Sequence, residues 1–174
     1  MDWSKAKTVL IVALLIMCLL LSGILLSRYS EEQKSARVAI EATIKYIDEN
    51  HGILSTEIPS KRPSLPVFFV KSTAEKVGEL KYKDYRICTD NGSENLSIVS
   101  VGKNKAKVMS ASSAVLEVMT QPSFYSGYTE IKSIELVYYI DSQYGLSDGS
   151  EDTALPTWRI ETNLGVSYIN AYAQ

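Results

Sequence analysis

The stretch that decides the organisation of this chain is Thr8 to Leu26, which reads TVLIVALLIMCLLLSGILL and contains no charged side chain over 19 residues. As an α-helix rising about 1.5 Å per residue it spans roughly 28 Å, close to the roughly 30 Å hydrocarbon core of a bilayer. A secretory signal peptide has a shorter apolar region followed by small residues at a cleavage site, a pattern that this stretch does not follow. The sequence therefore predicts a transmembrane helix over residues 8–26.

Charges beside this stretch predict its orientation in a membrane. The head, residues 1–7, carries Lys5, Lys7 and the amino terminus. Short basic flanks stay in the cytoplasm, and the flank after Leu26 is mixed in charge. We therefore expect a cytoplasmic head, a single helix in contact with membrane lipid, and an extracytoplasmic domain over residues 28–174.

Composition distinguishes this domain from the apolar stretch. Residues 1–27 hold 19 of the 79 apolar residues, which leaves 60 among the other 147, enough to bury one core. Residues 28–174 carry 16 basic and 19 acidic side chains and no run of Lys or Arg. That balance argues against nucleic acid as a partner, because phosphate neutralisation needs a basic face. Since Cys88 is the domain's single cysteine, no internal disulfide is expected.

Small residues inside the apolar stretch have two interpretations. Cys18 and Ser22 lie four residues apart, and Gly23 follows directly. Such spacing lets two helix backbones approach closely in lipid. Any apolar stretch of this length also contains a few small residues by chance. The sharper interpretation predicts that Cys18, Ser22 and Gly23 contact the transmembrane helix of another protein.

The hydrophobic pattern of the domain predicts an α+β fold, with two helices and one antiparallel sheet. Apolar residues recur at helical spacing from Ala36 to Ile47, so we expect a helix over 31–50, either capped at Ser30 or continuing directly from the membrane span. His51 and Gly52 follow its end as a stop signal. A second helix is expected over about 111–120.

Strands are expected over about 67–110 and about 131–171, on either side of the second helix. The first group begins with residues 67–70, which follow a proline-rich loop over 59–66, and continues with 84–89. After a turn at Asn91-Gly92, residues 96–101 and 105–109 are predicted to form a hairpin around a turn at Gly102-Lys103-Asn104. In the second group, 131–140 is followed by a hairpin that turns at Thr162-Asn163-Leu164-Gly165. The order is therefore helix, four strands, helix, three strands.

Residues that could support catalysis or metal binding are few. The single histidine, His51, lies at a helix end, where a positive charge favours the helix dipole. Cys88 has no second thiol or histidine near it in sequence, which argues against zinc and against cysteine catalysis. The acidic loop 141–152 does not follow the calcium-loop spacing. No cofactor and no enzymatic activity are therefore expected. The eleven tyrosines fit either strand residues or a binding groove.

Three stretches together resemble the YycI (WalI) family, extracytoplasmic regulators of the Yyc/Wal two-component system in Gram-positive bacteria. The opening Met1-Asp2-Trp3-Ser4-Lys5-Ala6-Lys7 is similar to the family's head. The passage Ile47 to Pro66 resembles the family's way into its first strand. The segments Ala154–Ile160 and Gly165–Tyr172 resemble the closing hairpin, which is itself like PepSY-type domains. The family-motif positions are Asp2, Trp3, Ser4, Lys5, Pro156, Trp158, Gly165, Tyr168, Asn170 and Ala171.

The resemblance implies a role without chemistry. A single-pass protein would contact a sensor histidine kinase of the YycG/WalK type, through transmembrane helices and an outer domain, and would thereby modulate cell-wall homeostasis. A YycH-like protein is a further implied partner, although family members usually carry a longer extracytoplasmic part and this chain has room for one lobe. The alternative is an anchored envelope module, either a PepSY-type peptidase modulator or a pseudopilin-like subunit. A pseudopilin has a Glu shortly inside its apolar segment, whereas Thr8–Leu26 contains none.

Overall fold

The structure, a computed structural model, describes residues 3–72, 81–89, 96–122, 128–140 and 151–172. The chain forms two compact units, Met1–Ala39 and Ile40–Gln174. The elements in chain order are α1 (Trp3–Glu49), β1 (Ile53–Leu54), β2 (Ser64–Ser72), β3 (Lys81–Tyr82), β4 (Tyr85–Thr89), β5 (Leu96–Lys107), α2 (Ala111–Met119), β6 (Glu130–Ile140), β7 (Glu151–Thr162) and β8 (Gly165–Asn170).

Helix α1 runs without a break from Trp3 to Glu49, so of the two expected starts the direct continuation is confirmed and the cap at Ser30 is wrong. A capping residue accepts hydrogen bonds from N–H groups that lack a partner at a helix start. At Ser30 those groups are bonded to the preceding turn. The Gln33 side chain donates from Nε2 to the Tyr29 hydroxyl at 3.0 Å and does not reach back to Ser30.

The end of α1 is fixed by two backbone hydrogen bonds. The N–H of Gly52 donates to the Ile47 carbonyl at 2.9 Å, and that of His51 donates to the Asp48 carbonyl at 3.2 Å. His51 takes the left-handed conformation with φ 59°. This pair of bonds is a Schellman motif, in which a residue with positive φ closes the last turn. The predicted stop after residue 50 is therefore confirmed.

The strands form a curled, mostly antiparallel sheet in the order β3-β4-β6-β7-β2-β5. In addition, β1 pairs with β6 and β8 pairs with β7. Among the described residues five strands precede α2 instead of the four expected, because β1 and β3 are two-residue strands too short to leave a pattern. The α+β class with two helices is confirmed. The antiparallel expectation is wrong for two pairs, because β1 and β4 run parallel to β6.

Strand β5 replaces the hairpin expected around Gly102-Lys103-Asn104. The chain does not reverse there, and Leu96–Lys107 pairs with β2 along its length. The ladder shifts between Pro66 and Phe68, which pair with Lys105 and Val101, so the three turn-type residues form a bulge. A Cβ at position 102 would lie 3.0 Å from the Val67 carbonyl oxygen. Position 102 therefore favours glycine, because the backbones of β2 and β5 approach each other closely here.

Strand β2 extends further than the expected core of residues 67–70. It begins at Ser64 and includes Pro66, which the proline-rich sequence had placed in a loop. Pro66 faces Lys105 close to the start of the ladder, and a proline is tolerated near a strand end because few ladder hydrogen bonds need its missing N–H. The predicted hairpin at Thr162–Gly165 is confirmed, since Thr162 pairs with Gly165.

The core lies between one face of the sheet and the helix layer. Helix α2 packs on β7 and β8, and the side chain of its N-cap Ser110 accepts from the Ser113 N–H. Ile47, near the end of α1, is fully buried and belongs to the same cluster. The fully buried residues include the following large side chains: Trp158, Tyr138, Phe68, Ile87, Ile131, Ile140 and Ile160.

Candidate functional site

The apolar part of α1 is exposed along its entire length. Each of the fourteen large apolar side chains from Val9 to Leu26 lies open, with exposed fractions from 49% at Val12 to 72% at Leu19. The helix is long and apolar enough to cross a membrane by length and composition. An apolar surface of this extent marks a site of contact with a membrane or another protein.

The three small residues within this helix all lie on the surface. Cys18, Ser22 and Gly23 are exposed, and a Cβ built on Gly23 meets no atom within 4 Å outside the helix itself. Cys18 and Ser22 are one turn apart, which places them on the same side of α1. The structure thus presents the predicted contact residues on an open helix surface.

The head of α1 carries a contact between an aromatic ring and a cation. The Lys7 ammonium lies 5.5 Å from the centroid of the Trp3 ring, and Trp3 is largely exposed. Tryptophan and lysine at the end of an apolar helix are typical of the membrane–water interface. Of the other expected head positions, Asp2 lies outside the described residues, as do the side chains of Ser4 and Lys5.

The other family-motif positions lie in and directly after the closing hairpin. Most of them stabilise the fold. Trp158 is 2% exposed and Ala171 is fully buried. The Trp158 indole donates to the Met109 carbonyl at 2.9 Å, and the Ala171 N–H donates to the Pro156 carbonyl at 2.9 Å. Pro156 is buried as well. These residues hold the sheet against the segment that leads into α2.

Gly165 and Asn170 shape the two ends of β8. Gly165 has φ 143°, a conformation that L side chains rarely adopt. The Thr162 hydroxyl donates to its carbonyl at 3.0 Å and fixes the turn. At the other end, the Asn170 side-chain oxygen accepts from the Tyr172 N–H at 2.9 Å. Gly165 is therefore a turn residue, and Asn170 is a strand-end residue.

Tyr168 lies on the face of the sheet opposite to that of Pro156 and Trp158. It is the register partner of Arg159, and its ring stacks on Tyr139 with centroids 4.2 Å apart. Arg159 forms an ion pair with Glu161 at 3.0 Å. Although burial of Arg159 lowers its pKa, the hydrogen bonds and charge interactions with Glu161 and Tyr168 together raise the pKa above its ordinary value. The sequence analysis names Tyr168 as a motif position and its tyrosines as possible groove residues, but it does not predict the ion pair beside them.

A second unpredicted feature is an open groove of about 450 Å³ beside strand β4. Pro59, Lys61 and Pro63 line it together with the apolar side chains of Leu136 and Trp158. The Arg86–Glu135 ion pair lies at its rim. Next to it, Tyr138 packs against the Phe68 ring at 4.4 Å between centroids. The remaining lining residues are Lys81, Asp84, Tyr85 and Val137.

The Tyr138 hydroxyl is held in a buried environment behind this groove. It donates to the Pro66 carbonyl oxygen at 3.0 Å. Burial, followed by the proximity of Tyr82 and Tyr85, raises the pKa of Tyr138 well above its ordinary value of 10.0. The neutral hydroxyl therefore acts as a structural hydrogen-bond donor.

His51 and Cys88, the side chains best suited to catalysis or metal binding, lie on different elements of the fold. His51 is exposed in the turn after α1, and Cys88 is half-buried on β4. Within the described ranges, no group of three or more His, Cys, Asp or Glu side chains could hold a metal ion. Most of the acidic loop 141–152 and the Asn91-Gly92 turn fall outside those ranges.

Comparison with known proteins gives no match to a family model, to a curated protein or to a solved structure.

Proposed function

We propose that this chain is a membrane-anchored, non-catalytic regulator that modulates a sensor histidine kinase of a two-component system, in the manner implied by its resemblance to the YycI family. The observation that carries the proposal is the exposure of every large apolar side chain between Val9 and Leu26. Burial of one such side chain is worth about 1.5–3 kcal/mol, so fourteen of them favour a lipid environment by tens of kcal/mol.

Residues 8–26 then form the anchor, and Trp3 and Lys7 lie at its cytoplasmic interface. The basic head supports this orientation, because positive charge is retained on the cytoplasmic side. The sheet domain, which follows α1, lies outside the cytoplasm. The predicted location is the cell membrane, with a single crossing.

Regulation without chemistry requires only a differential contact with the kinase. A kinase poised between two states shifts when a partner binds one of them more tightly by a few kcal/mol. Within lipid, helices associate through close packing at small residues. The open face formed by Cys18, Ser22 and Gly23 is the proposed contact, and the half-buried surface around Tyr168 is a second candidate for contact outside the membrane with the kinase or a YycH-like protein.

Replacement of the anchor tests this proposal. Residues 8–26 are exchanged for an unrelated apolar helix of equal length, with both flanks retained, and the output of the response regulator is measured with a transcriptional reporter. We expect the regulatory effect to be lost while the protein stays in the membrane. Unchanged output would contradict the helix contact.

Point variants sharpen the same experiment. Ser22→Leu enlarges a side chain on the proposed contact face, whereas Ala13→Leu makes a similar change nine residues away, on the opposite side of the helix. We expect Ser22→Leu to alter kinase output and Ala13→Leu to leave it unchanged. Equal effects from both variants would point to a general change in anchoring.

An anchored envelope binding module is the second candidate function, and the groove beside β4 favours it. A PepSY-type module would hold an extended peptide, and prolines, apolar side chains and an ion pair offer a peptide both packing and hydrogen bonds. Peptide-array binding to the full chain in detergent tests this candidate. Loss of binding in a Leu136→Arg variant would support the groove as the site, and an array without any bound peptide would count against it.

A further inference from the structure

Positive charge is concentrated on one pair of strands in an otherwise acidic domain. We define the basic ribbon as residues 61–72 and 96–107, which contain β2 and β5. It carries six basic side chains and no Asp or Glu. Since residues 28–174 hold 16 basic and 19 acidic side chains, the rest of the domain has 10 basic and 19 acidic ones, a net charge of −9. The six are Lys61, Arg62, Lys71, Lys103, Lys105 and Lys107.

The register of the two strands gathers most of these charges at one end. Lys105 and Lys107 pair with Pro66 and Ser64, and Arg62 donates from Nε to the Val108 carbonyl at 3.0 Å. Lys103 follows Gly102 in the bulge and is exposed. The sixth charge, on Lys71, lies at the other end of the ribbon. The fold thereby builds a basic patch from residues 61–62 and 103–107, which are more than forty residues apart in sequence.

The basic ribbon is also an edge of the sheet with apolar side chains on its surface. In the described part of the chain, β5 is the last strand of the sheet order and pairs with β2. Val99 and Val101 on β5 are 47% and 46% exposed, and Phe69 on β2 is 37% exposed. An edge strand presents unpaired N–H and C=O groups to a partner. The ribbon thus offers backbone, apolar and cationic contacts side by side.

We propose that the basic ribbon binds an acidic, extended polypeptide segment of a partner protein. A polypeptide satisfies the backbone groups of the edge through added strand pairing, which lipid cannot do. Nucleic acid would leave Val99 and Val101 without a role, since single-strand binding depends on aromatic stacking platforms. A second copy would bring six more positive charges to the same place. The bulge at Gly102 limits indiscriminate pairing along the edge.

The test uses the full chain in nanodiscs of zwitterionic lipid. The probe is a labelled peptide about twelve residues long in which Glu and Val alternate, and binding is followed by fluorescence anisotropy. The variant Lys103→Glu/Lys105→Glu reverses two charges on the ribbon, and Lys45→Glu/Lys132→Glu makes the same charge change at exposed positions outside both the ribbon and the groove beside β4. We expect the ribbon variant to weaken binding about tenfold and the control to change it by about twofold or less.

Two further measurements keep the result interpretable. The neutral variant Lys103→Gln/Lys105→Gln should bind with intermediate affinity, and its thermal unfolding shows whether the edge still folds. N-methylation of alternate residues of the peptide should abolish binding for one set of positions and spare it for the other, because a strand pairs through alternate residues.

Several outcomes would overturn the proposal. Equal weakening by both charge reversals would show that only the total charge matters. Equally tight binding of a peptide with Lys in place of Glu would contradict charge complementarity. Tighter binding to a single-stranded DNA of similar length, to anionic nanodiscs or to a second copy of the chain would assign the ribbon to that partner instead.

Discussion

Trp158 and Met109 are joined by a hydrogen bond from the indole Nε1 to the backbone carbonyl, at 2.9 Å. The N–H of Met109 donates in turn to the Ala171 carbonyl at 2.8 Å. Met109 therefore receives a contact from β7 and makes one to the segment after β8. This arrangement joins the closing hairpin to the segment that leads into α2.

Replacement of Trp158 by Phe should destabilise the sheet domain. The Met109 carbonyl would lose its donor inside the core, which costs about 1–3 kcal/mol, and the smaller ring would leave a cavity that adds to the loss. Chemical unfolding of the full chain in detergent, followed by near-ultraviolet circular dichroism, measures the change. Tyr168→Phe, a change on the half-buried face, is the control and should cost less than about 1 kcal/mol. Equal losses would contradict the role assigned to Trp158.

Opposite effects are expected from substitutions at two neighbouring positions after α1. A Cβ at position 52 would lie 2.7 Å from Ile47 Cγ2 and 3.2 Å from the Ile47 carbonyl oxygen, so Gly52→Ala should cost about 1–3 kcal/mol through overpacking. His51 has φ 59°, so His51→Gly should stabilise the domain by about 1 kcal/mol. Differential scanning calorimetry compares the two. A neutral Gly52→Ala would refute the close packing at the end of α1.

At alkaline pH the sheet domain should lose stability because of the buried Tyr138 hydroxyl. Because burial raises its pKa above the ordinary value of 10.0, the unfolded chain loses this proton at a lower pH than the folded domain. The stability contributed by the neutral hydroxyl is therefore complete below about pH 10 and is lost as the pH rises from there towards the folded-state pKa.

The variant Tyr138→Phe checks this dependence. It should lower the free energy of unfolding at neutral pH by about 1–2 kcal/mol, because the Pro66 carbonyl loses its donor. Above about pH 10 it should also lose stability less steeply than the parent chain. Equilibrium unfolding across a pH series gives both quantities, and identical slopes for the two proteins would show that Tyr138 does not contribute to the alkaline transition.

The sequence predicts those parts of the fold that depend on local patterns. The uncharged run Thr8–Leu26 predicts the apolar helix, and the Thr162–Gly165 turn predicts the closing hairpin, which the structure confirms. The turn-type residues from Gly102 to Asn104 mislead, because whether such residues reverse a chain or form a bulge depends on the partner strand. Pairing of β5 with β2 is a tertiary contact and leaves no mark in the local sequence.

The candidate sites likewise differ in whether they depend on local sequence or on the pairing of strands. Cys18, Ser22 and Gly23 can be found from spacing alone because they lie on one helix. The basic ribbon cannot be predicted from the sequence, since Arg62 and Lys107 come to the same end of the ribbon only when β2 and β5 pair. A count of charges over residues 28–174 gives a net value of −3 and conceals the segregation entirely. The face around Tyr168 is hidden for the same reason, because it depends on the register of β6, β7 and β8.

Site-specific photo-cross-linking within the apolar helix tests the central proposal most directly. A photoreactive amino acid is placed at position 22, on the proposed contact face, or at position 24, about 200° around the helix, in cells that express the full chain. Mass spectrometry identifies the cross-linked proteins. The proposal predicts a sensor histidine kinase at position 22 and lipid at position 24. Lipid alone at both positions, or recovery of the chain outside the membrane fraction, would contradict it.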